Sequence, residues 1–212
     1  QFSGSSAGVL RFGSLFAHFF VNIELPPQLQ RRILRAVYSF SDPVRHVGVR
    51  VVAQLKQVYQ QRWFAVHFRV SEKRYNTTAD RQVALMMEHA REMVKSRLWR
   101  RGGGAGDGAV FLLTDLKAKA LEEHEGFHDG VRALQALVHN ATARRLWLKR
   151  LSDFPTEKKW GRARFQALPA QEADAIIESY VAAAAPGGFV GAPDSTFAGT
   201  IRQLREYTKA YE

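Results

Sequence analysis

Two residues near the end of a predicted strand have side chains suited to holding an anion. Residues 63–70 are aromatic and β-branched, which is typical of a buried strand. Side chains alternate along a strand, so His67 and Arg69 lie on the same side of it. Open α/β sheets bind ligands outside the carboxyl ends of their strands. A buried guanidinium needs an anionic partner, so Arg69 indicates either a ligand phosphate or a structural salt bridge.

A second group of candidate residues lies where a short predicted strand passes into a helix. Residues 189–197 read Phe-Val-Gly-Ala-Pro-Asp-Ser-Thr-Phe, with Ser195 and Thr196 at positions favoured for a helix N-cap. The N–H groups and hydroxyls of such a turn can bind a phosphate, or the two residues simply cap the helix. A phosphate group would satisfy both this turn and Arg69, which favours a nucleoside diphosphate as the ligand.

A third pattern is typical of zinc peptidases. His124, Glu125 and His128 match H-E-x-x-H, which on a helix places two imidazoles on a metal and uses the glutamate as a general base. Acidic residues flank the pattern, and Gly126 lowers the helix propensity by about 1 kcal/mol. No further histidine follows at the spacing of the related metalloproteases. A zinc peptidase is therefore the less favoured alternative, and we expect no metal.

The periodicity of apolar residues predicts alternating strands and helices. Strands are predicted at residues 9–16, 63–70, 109–115 and 189–191, and helices at 26–40, 42–58, 78–99, 169–184 and 197–207. This alternation predicts an α/β fold with a parallel sheet flanked by helices. The glycine-rich residues 102–108 precede their strand, whereas a dinucleotide-binding loop follows one, so they read as a connector. Residues 117–168 have a mixed pattern.

Composition and charge limit the class of protein. The chain has 212 residues, with 31 Lys and Arg against 20 Asp and Glu, for a net charge of +11. A hydrophobic content of 46% excludes disorder as the dominant state, and no apolar run reaches the roughly 18 residues of a membrane span. The absence of cysteine excludes disulfides and thiol catalysis. The charge favours an anionic partner, and a non-catalytic basic module for polyanions is the competing class, although no nucleic-acid-binding motif is found.

Several short motifs occur in the order seen in the GDP-fucose protein O-fucosyltransferases, and the chain most resembles the plant and algal branch of that family. The motifs are residues 9–16, residues 65–69, Leu113-Thr114-Asp115, Ile177-Glu178-Ser179, residues 189–191 and residues 195–197. The H-x-R strand and the F-V-G…S-T-F turn are the specific parts of this resemblance.

The resemblance implies a GT-B-type glycosyltransferase with a Rossmann-like fold. Residues 1–212 would form a single domain, the donor-binding C-terminal half, and the acceptor-side N-terminal half is expected to be absent. The enzyme would transfer fucose from GDP-fucose to a protein Ser or Thr hydroxyl or to a glycan, without a metal or another cofactor. It would act in the lumen of the endoplasmic reticulum or Golgi. Alternatively, this half would bind the donor without catalysing the transfer.

The resemblance also implies a role for each matching residue. Arg69 would be catalytic by gripping the pyrophosphate, and His67 would line the same pocket. Glu178 would read guanine, since a carboxylate can accept hydrogen bonds from N1–H and the 2-amino group together. The remaining donor-binding residues would be Asp115, which supports the pocket, and Ser195, Thr196 and Phe197, which hold the phosphates and pack beside the donor.

Overall fold

The protein contains a four-stranded sheet in which all neighbouring strands are parallel. The computed structural model describes residues 26, 28, 32, 42–69, 79–96, 99, 106–114, 125–154, 170–193 and 195–209. The strands are β1 (Trp63–Phe68), β2 (Gly108–Thr114), β3 (Leu146–Lys149) and β4 (Phe189–Gly191). Their spatial order is β3-β2-β1-β4. The predicted α/β fold with a parallel sheet is therefore confirmed.

Helices cover both faces of the sheet. Those within the described ranges are α1 (Asp42–Tyr59), α2 (Ala79–Lys95), α3 (Glu125–Thr142), α4 (Ala170–Ala183) and α5 (Thr196–Lys209), and a short 3-10 turn spans Leu151–Asp153. Apolar residues of α2 and α3 pack on one face of the sheet. Apolar residues of α1, α4 and α5 pack on the other face. No helix within the described ranges has the length and apolarity needed to traverse a lipid bilayer.

Strand β1 explains why the sheet needs helices on both sides. Every one of its six residues is buried. Trp63 and Ala65 contribute to the core on the side of α1, α4 and α5. Phe64, Val66 and Phe68 contribute to the core on the side of α2 and α3. A strand that buries both faces needs a nearly continuous apolar run, and this run is the strongest strand signal in the sequence.

The predicted elements agree with the structure except in the middle of the chain. The strands predicted at 63–70, 109–115 and 189–191 are β1, β2 and β4, and the helices predicted near 42, 78, 169 and 197 are α1, α2, α4 and α5. The mixed region 117–168 contains α3 and β3, which were not predicted. The strand predicted at residues 9–16 lies outside the described residues, and of the helix predicted at 26–40 only residues 26, 28 and 32 are described.

Helices α1 and α4 approach closely at a glycine. A methyl group added at Gly48 would lie 3.0 Å from Cγ of Tyr180 on α4, and closer still to Cδ1. Tyr180 is partly buried against the core that α1 and α4 share. The absence of a side chain at Gly48 therefore sets the distance between the two helices.

We expect Gly48→Ala to destabilise the protein and Gly199→Ala to stabilise it. Both glycines lie inside helices, where alanine gains up to about 1 kcal/mol in helix propensity. At Gly199 an added methyl meets nothing within 4 Å, so this gain should be kept. At Gly48 overpacking should cost about 1–3 kcal/mol and outweigh the gain. Urea unfolding of both variants measures the difference, and equal stabilisation by the two would contradict the close packing of α1 on α4.

Candidate functional site

The order of the strands reverses beside β1. Strands β2 and β3 extend the sheet on one side of β1, and β4 pairs with its other side. The chain leaves β1 toward α2 on one face and leaves β4 toward α5 on the opposite face. In open α/β sheets, a reversal of the strand order marks the place where ligands bind, outside the carboxyl ends of the two strands. We call this region the β1–β4 crevice.

His67 and Phe197 meet at this crevice. His67 is 6% exposed and is paired in register with Gly191 of β4. Its ring centroid lies 4.9 Å from that of Phe197 in the first turn of α5, with the two rings tilted at 56°. A methyl group at Gly191 would lie 2.7 Å from Cβ of Ala198, so this glycine lets α5 lie directly against β4. The structure thus brings together two of the residues that the sequence singled out.

Arg69 follows the last residue of β1, and its main chain is held by a side chain of α2. Its N–H donates to Oε1 of Gln82 at 2.9 Å, and its carbonyl accepts from Nε2 of Gln82 at 2.6 Å. Gln82 is only 4% exposed. The backbone from which the Arg69 side chain extends is therefore fixed at two points.

Ser195 caps α5, as predicted from its type and position. Its Oγ accepts the N–H of Ala198 at 3.3 Å, and its carbonyl accepts the N–H of Gly199 at 2.9 Å. The cap accounts for the Ser195 hydroxyl without a ligand. The N–H groups of Thr196 and Phe197 belong to the first turn of the helix, where no acceptor exists within the helix itself. Those two groups carry the positive end of the α5 dipole.

Two arginines fasten α5 to its neighbours. Nη2 of Arg202 donates to the carbonyls of Gly191 and Ala192, at 2.6 and 3.1 Å. Burial lowers the pKa of the Arg202 guanidinium from its ordinary value. Nη1 of Arg205 donates to three carbonyls at the end of α4, those of Ala182, Ala183 and Ala185, at 2.7–3.2 Å. Arg202 thus holds the carbonyl groups that lead into the N-terminus of α5, and Arg205 links α5 to the end of α4.

Glu178 lies on α4 and has an unusual protonation equilibrium. The pKa of its carboxyl is raised from 4.5 to about 8, mainly by burial and to a lesser extent by the nearby Asp174 carboxylate, while Arg150 opposes the shift. The carboxyl is therefore mostly protonated at neutral pH. The charged groups that act on it are Asp174 and Arg150 rather than residues of the β1–β4 crevice.

Other candidate residues lie at the limits of what the structure describes. Asp115 and His124 lie outside the described residues, whereas Glu125 and His128 lie in the first turn of α3. Thr196 is the first residue of α5. Within the described ranges, no three His, Asp or Glu side chains form a group that could hold a metal ion. The H-E-x-x-H pattern lies only partly within those ranges, because its first histidine, His124, is outside them.

Sequence reasoning missed the residues that hold the site in place. Gln82 reads as an ordinary polar residue near a helix start, and Arg202 and Arg205 read as the polar stripe of an amphipathic helix. Their partners are main-chain groups 10 to 23 residues away in sequence. No local pattern signals such contacts, because they exist only once the elements have packed.

Comparisons of the chain with protein-family models, curated proteins and solved structures give no match. The basis for a function is therefore the β1–β4 crevice, together with the sequence motifs that meet there.

We expect Glu178→Gln to change how stability depends on pH. Between pH 4.5 and about 8 the folded protein keeps a proton on Glu178 that the unfolded chain has released. Unfolding then releases a proton, so stability falls as pH rises through this window, by at most about 1.4 kcal/mol per pH unit. The Gln variant lacks this loss. It should therefore have a higher Tm than the wild type at pH 8 and a similar Tm near pH 4.5.

Two controls isolate this effect in thermal unfolding. Burial lowers the pKa of His89, so its contribution to stability is lost as pH falls below about 6.5, in the wild type and the variant alike. The same substitution at the exposed Glu88 should leave the pH profile unchanged. Parallel profiles for the wild type and Glu178→Gln would show that Glu178 titrates alike in the folded and unfolded chain.

Proposed function

We propose that this chain is the donor-binding half of a GDP-fucose-dependent glycosyltransferase of the secretory pathway lumen, which transfers fucose to a protein hydroxyl or a glycan. The observation that carries the proposal is the meeting of the H-x-R strand with the F-V-G…S-T-F turn at the β1–β4 crevice. These are the two most specific motifs of the family resemblance, and they lie 120 residues apart in the sequence. The strand order β3-β2-β1-β4 supports a Rossmann-like assignment, because nucleotide-binding folds of that type begin with the same order.

The chemistry of fucosyl transfer suits the charges at this crevice. When the bond between the sugar and the β-phosphate breaks, its electron pair goes to the diphosphate oxygen. The acceptor hydroxyl oxygen bonds to the anomeric carbon in its place, and the hydroxyl proton passes to solvent. Negative charge therefore develops on GDP. The planar fork of Arg69 and the N-terminus of α5 can stabilise this charge, and one fixed donor at a comparable oxyanion lowers a barrier by ~3 kcal/mol. The proposal assigns the stabilisation of the leaving group to these protein groups.

Glu178 supplies guanine selectivity in this proposal. Its carboxylate would accept hydrogen bonds from guanine N1–H and from the 2-amino group, and a protonated carboxyl cannot accept both in the same way. Because its pKa is raised to about 8, GDP binding at neutral pH has to release a proton. The burial that makes the carboxyl costly to ionise also makes its hydrogen bonds to guanine stronger than they would be in water.

Thermal unfolding with nucleotides tests the donor site. GDP at about 100 times its Kd adds ~2.7 kcal/mol of stability, which corresponds to a shift of roughly 5–11 °C for a domain of this size. We expect this shift with GDP, a smaller shift with ADP, and none in Arg69→Ala. Arg69→Lys should also lose most of the shift, since an ammonium cannot replace the bidentate fork. Equal shifts with GDP and ADP that fall steeply with salt would instead favour the polyanion-binding module.

The pH dependence of GDP binding tests the role of Glu178. Below about pH 8 the affinity of the wild type should rise with pH, by up to about tenfold per pH unit, and level off above it. Titration calorimetry in buffers of different ionisation enthalpy should detect about one proton released per GDP bound. ADP provides the control ligand, and Glu178→Gln should bind GDP more weakly and independently of pH. A wild type that binds GDP with no proton release would remove Glu178 from the guanine site.

A further inference from the structure

The main chain of Arg69 lies where the sheet stops supporting β1. Within the described residues, the β1–β2 ladder ends at the pair Phe68–Thr114, and the β1–β4 ladder ends at His67–Gly191. A main-chain N–H and C=O in a partly buried place need other partners. Gln82 supplies both, since its amide donates to the carbonyl and accepts from the N–H of Arg69. The glutamine side chain thus acts as one more residue of a neighbouring strand.

This contact fixes the direction of the Arg69 side chain. With both of its backbone groups held by Gln82, Arg69 is expected to continue the alternation of β1 by one residue and to extend to the same face as His67. That face carries Phe197 and the N-terminus of α5. Without the two hydrogen bonds with Gln82, the backbone of a residue that follows a strand can rotate freely. The long side chain of Arg69 would then lose its orientation.

We propose that Gln82 is a positioning residue that directs the guanidinium of Arg69 at a diphosphate bound in the β1–β4 crevice, an inference that rests on the proposed donor site. Gln82 is buried, comes from α2 and touches only the backbone of Arg69 in these two hydrogen bonds. It therefore acts on the ligand through Arg69. Loss of Gln82 should weaken the binding of the diphosphate group itself, whichever base the nucleotide carries.

Inorganic pyrophosphate is the probe that isolates this effect, because it has no base for Glu178 to read. We expect Gln82→Met to weaken pyrophosphate binding by about tenfold, since a misdirected guanidinium loses its bidentate geometry. In the Arg69→Ala background the same substitution should cause no further loss, because its effect passes through Arg69. A general structural role would instead lower the affinity of both backgrounds by the same factor.

Gln135→Met is the matched control. Gln135 of α3 also donates from a helix to a strand carbonyl, that of Leu146 at 3.1 Å, but at β3, which lies at the opposite end of the strand order from β4. It should lower Tm while leaving pyrophosphate affinity unchanged.

Gln82→Glu keeps the inference testable where the Met variant does not fold. A carboxylate accepts from the Arg69 N–H but cannot donate to its carbonyl, whereas a protonated carboxyl does both. The affinity of this variant, expressed relative to the wild type at each pH, should therefore recover as pH falls.

The results separate this inference from the proposed function. A wild type that binds GDP and pyrophosphate, with Gln82→Met binding pyrophosphate equally well, overturns the positioning role and leaves the donor site standing. A wild type that binds pyrophosphate without preferring GDP over ADP overturns guanine selectivity. The role of Gln82 then stands if Gln82→Met weakens pyrophosphate binding only where Arg69 is present, and it is overturned if the loss is equal in the Arg69→Ala background. A wild type that binds neither overturns both.

Discussion

The structure depends on the burial of β1 between two helical layers and two neighbouring strands. Its six residues are all buried, and it lies where the strand order reverses, with β2 and β3 on one side and β4 on the other. His67 is the one polar side chain in this strand, and it lies next to the carboxyl end. The apolar residues of β1 thus hold the sheet together, while His67 and Arg69 place polar groups near its carboxyl end.

Several arginine side chains donate to oxygen atoms of the protein itself, so the net charge is not simply the charge offered to a partner. Arg202 and Arg205 donate to main-chain carbonyls at the ends of β4 and α4. Arg62 is 2% exposed and donates to the side chain of Gln60 at 3.0 Å. These guanidiniums donate to oxygen atoms of the protein itself. A part of the charge of +11 is therefore engaged within the fold.

How far the sequence predicts this fold depends on where each residue's partners lie. β1 and β2 were predicted because a strand buried on both faces needs a continuous apolar run. β3 was missed because it is a four-residue edge strand in which Trp147 is 43% exposed, so no such run exists. The cap at Ser195 was predicted because its partner is three residues away. The two hydrogen bonds between Gln82 and the backbone of Arg69 depend on packing between elements that are distant in the sequence. The same is true of the raised pKa of Glu178, and no local sequence pattern predicts either.

In the proposed donor site, the two ends of a nucleotide would lie in different physical environments. The diphosphate end would meet Arg69 and the α5 N-terminus, positive groups whose backbone is already held by Gln82 and Arg202. Such preorganised charge contributes affinity at little further cost in ordering. The base end would meet Glu178, a carboxyl that burial keeps neutral and that has to ionise before it can read guanine. Ionisation at neutral pH subtracts from the binding free energy for guanine, whereas a base without two matching donors leaves the carboxyl protonated and gains neither of the two hydrogen bonds. The diphosphate should therefore set most of the affinity in the proposed site, and Glu178 should add the smaller part that distinguishes guanine from another base.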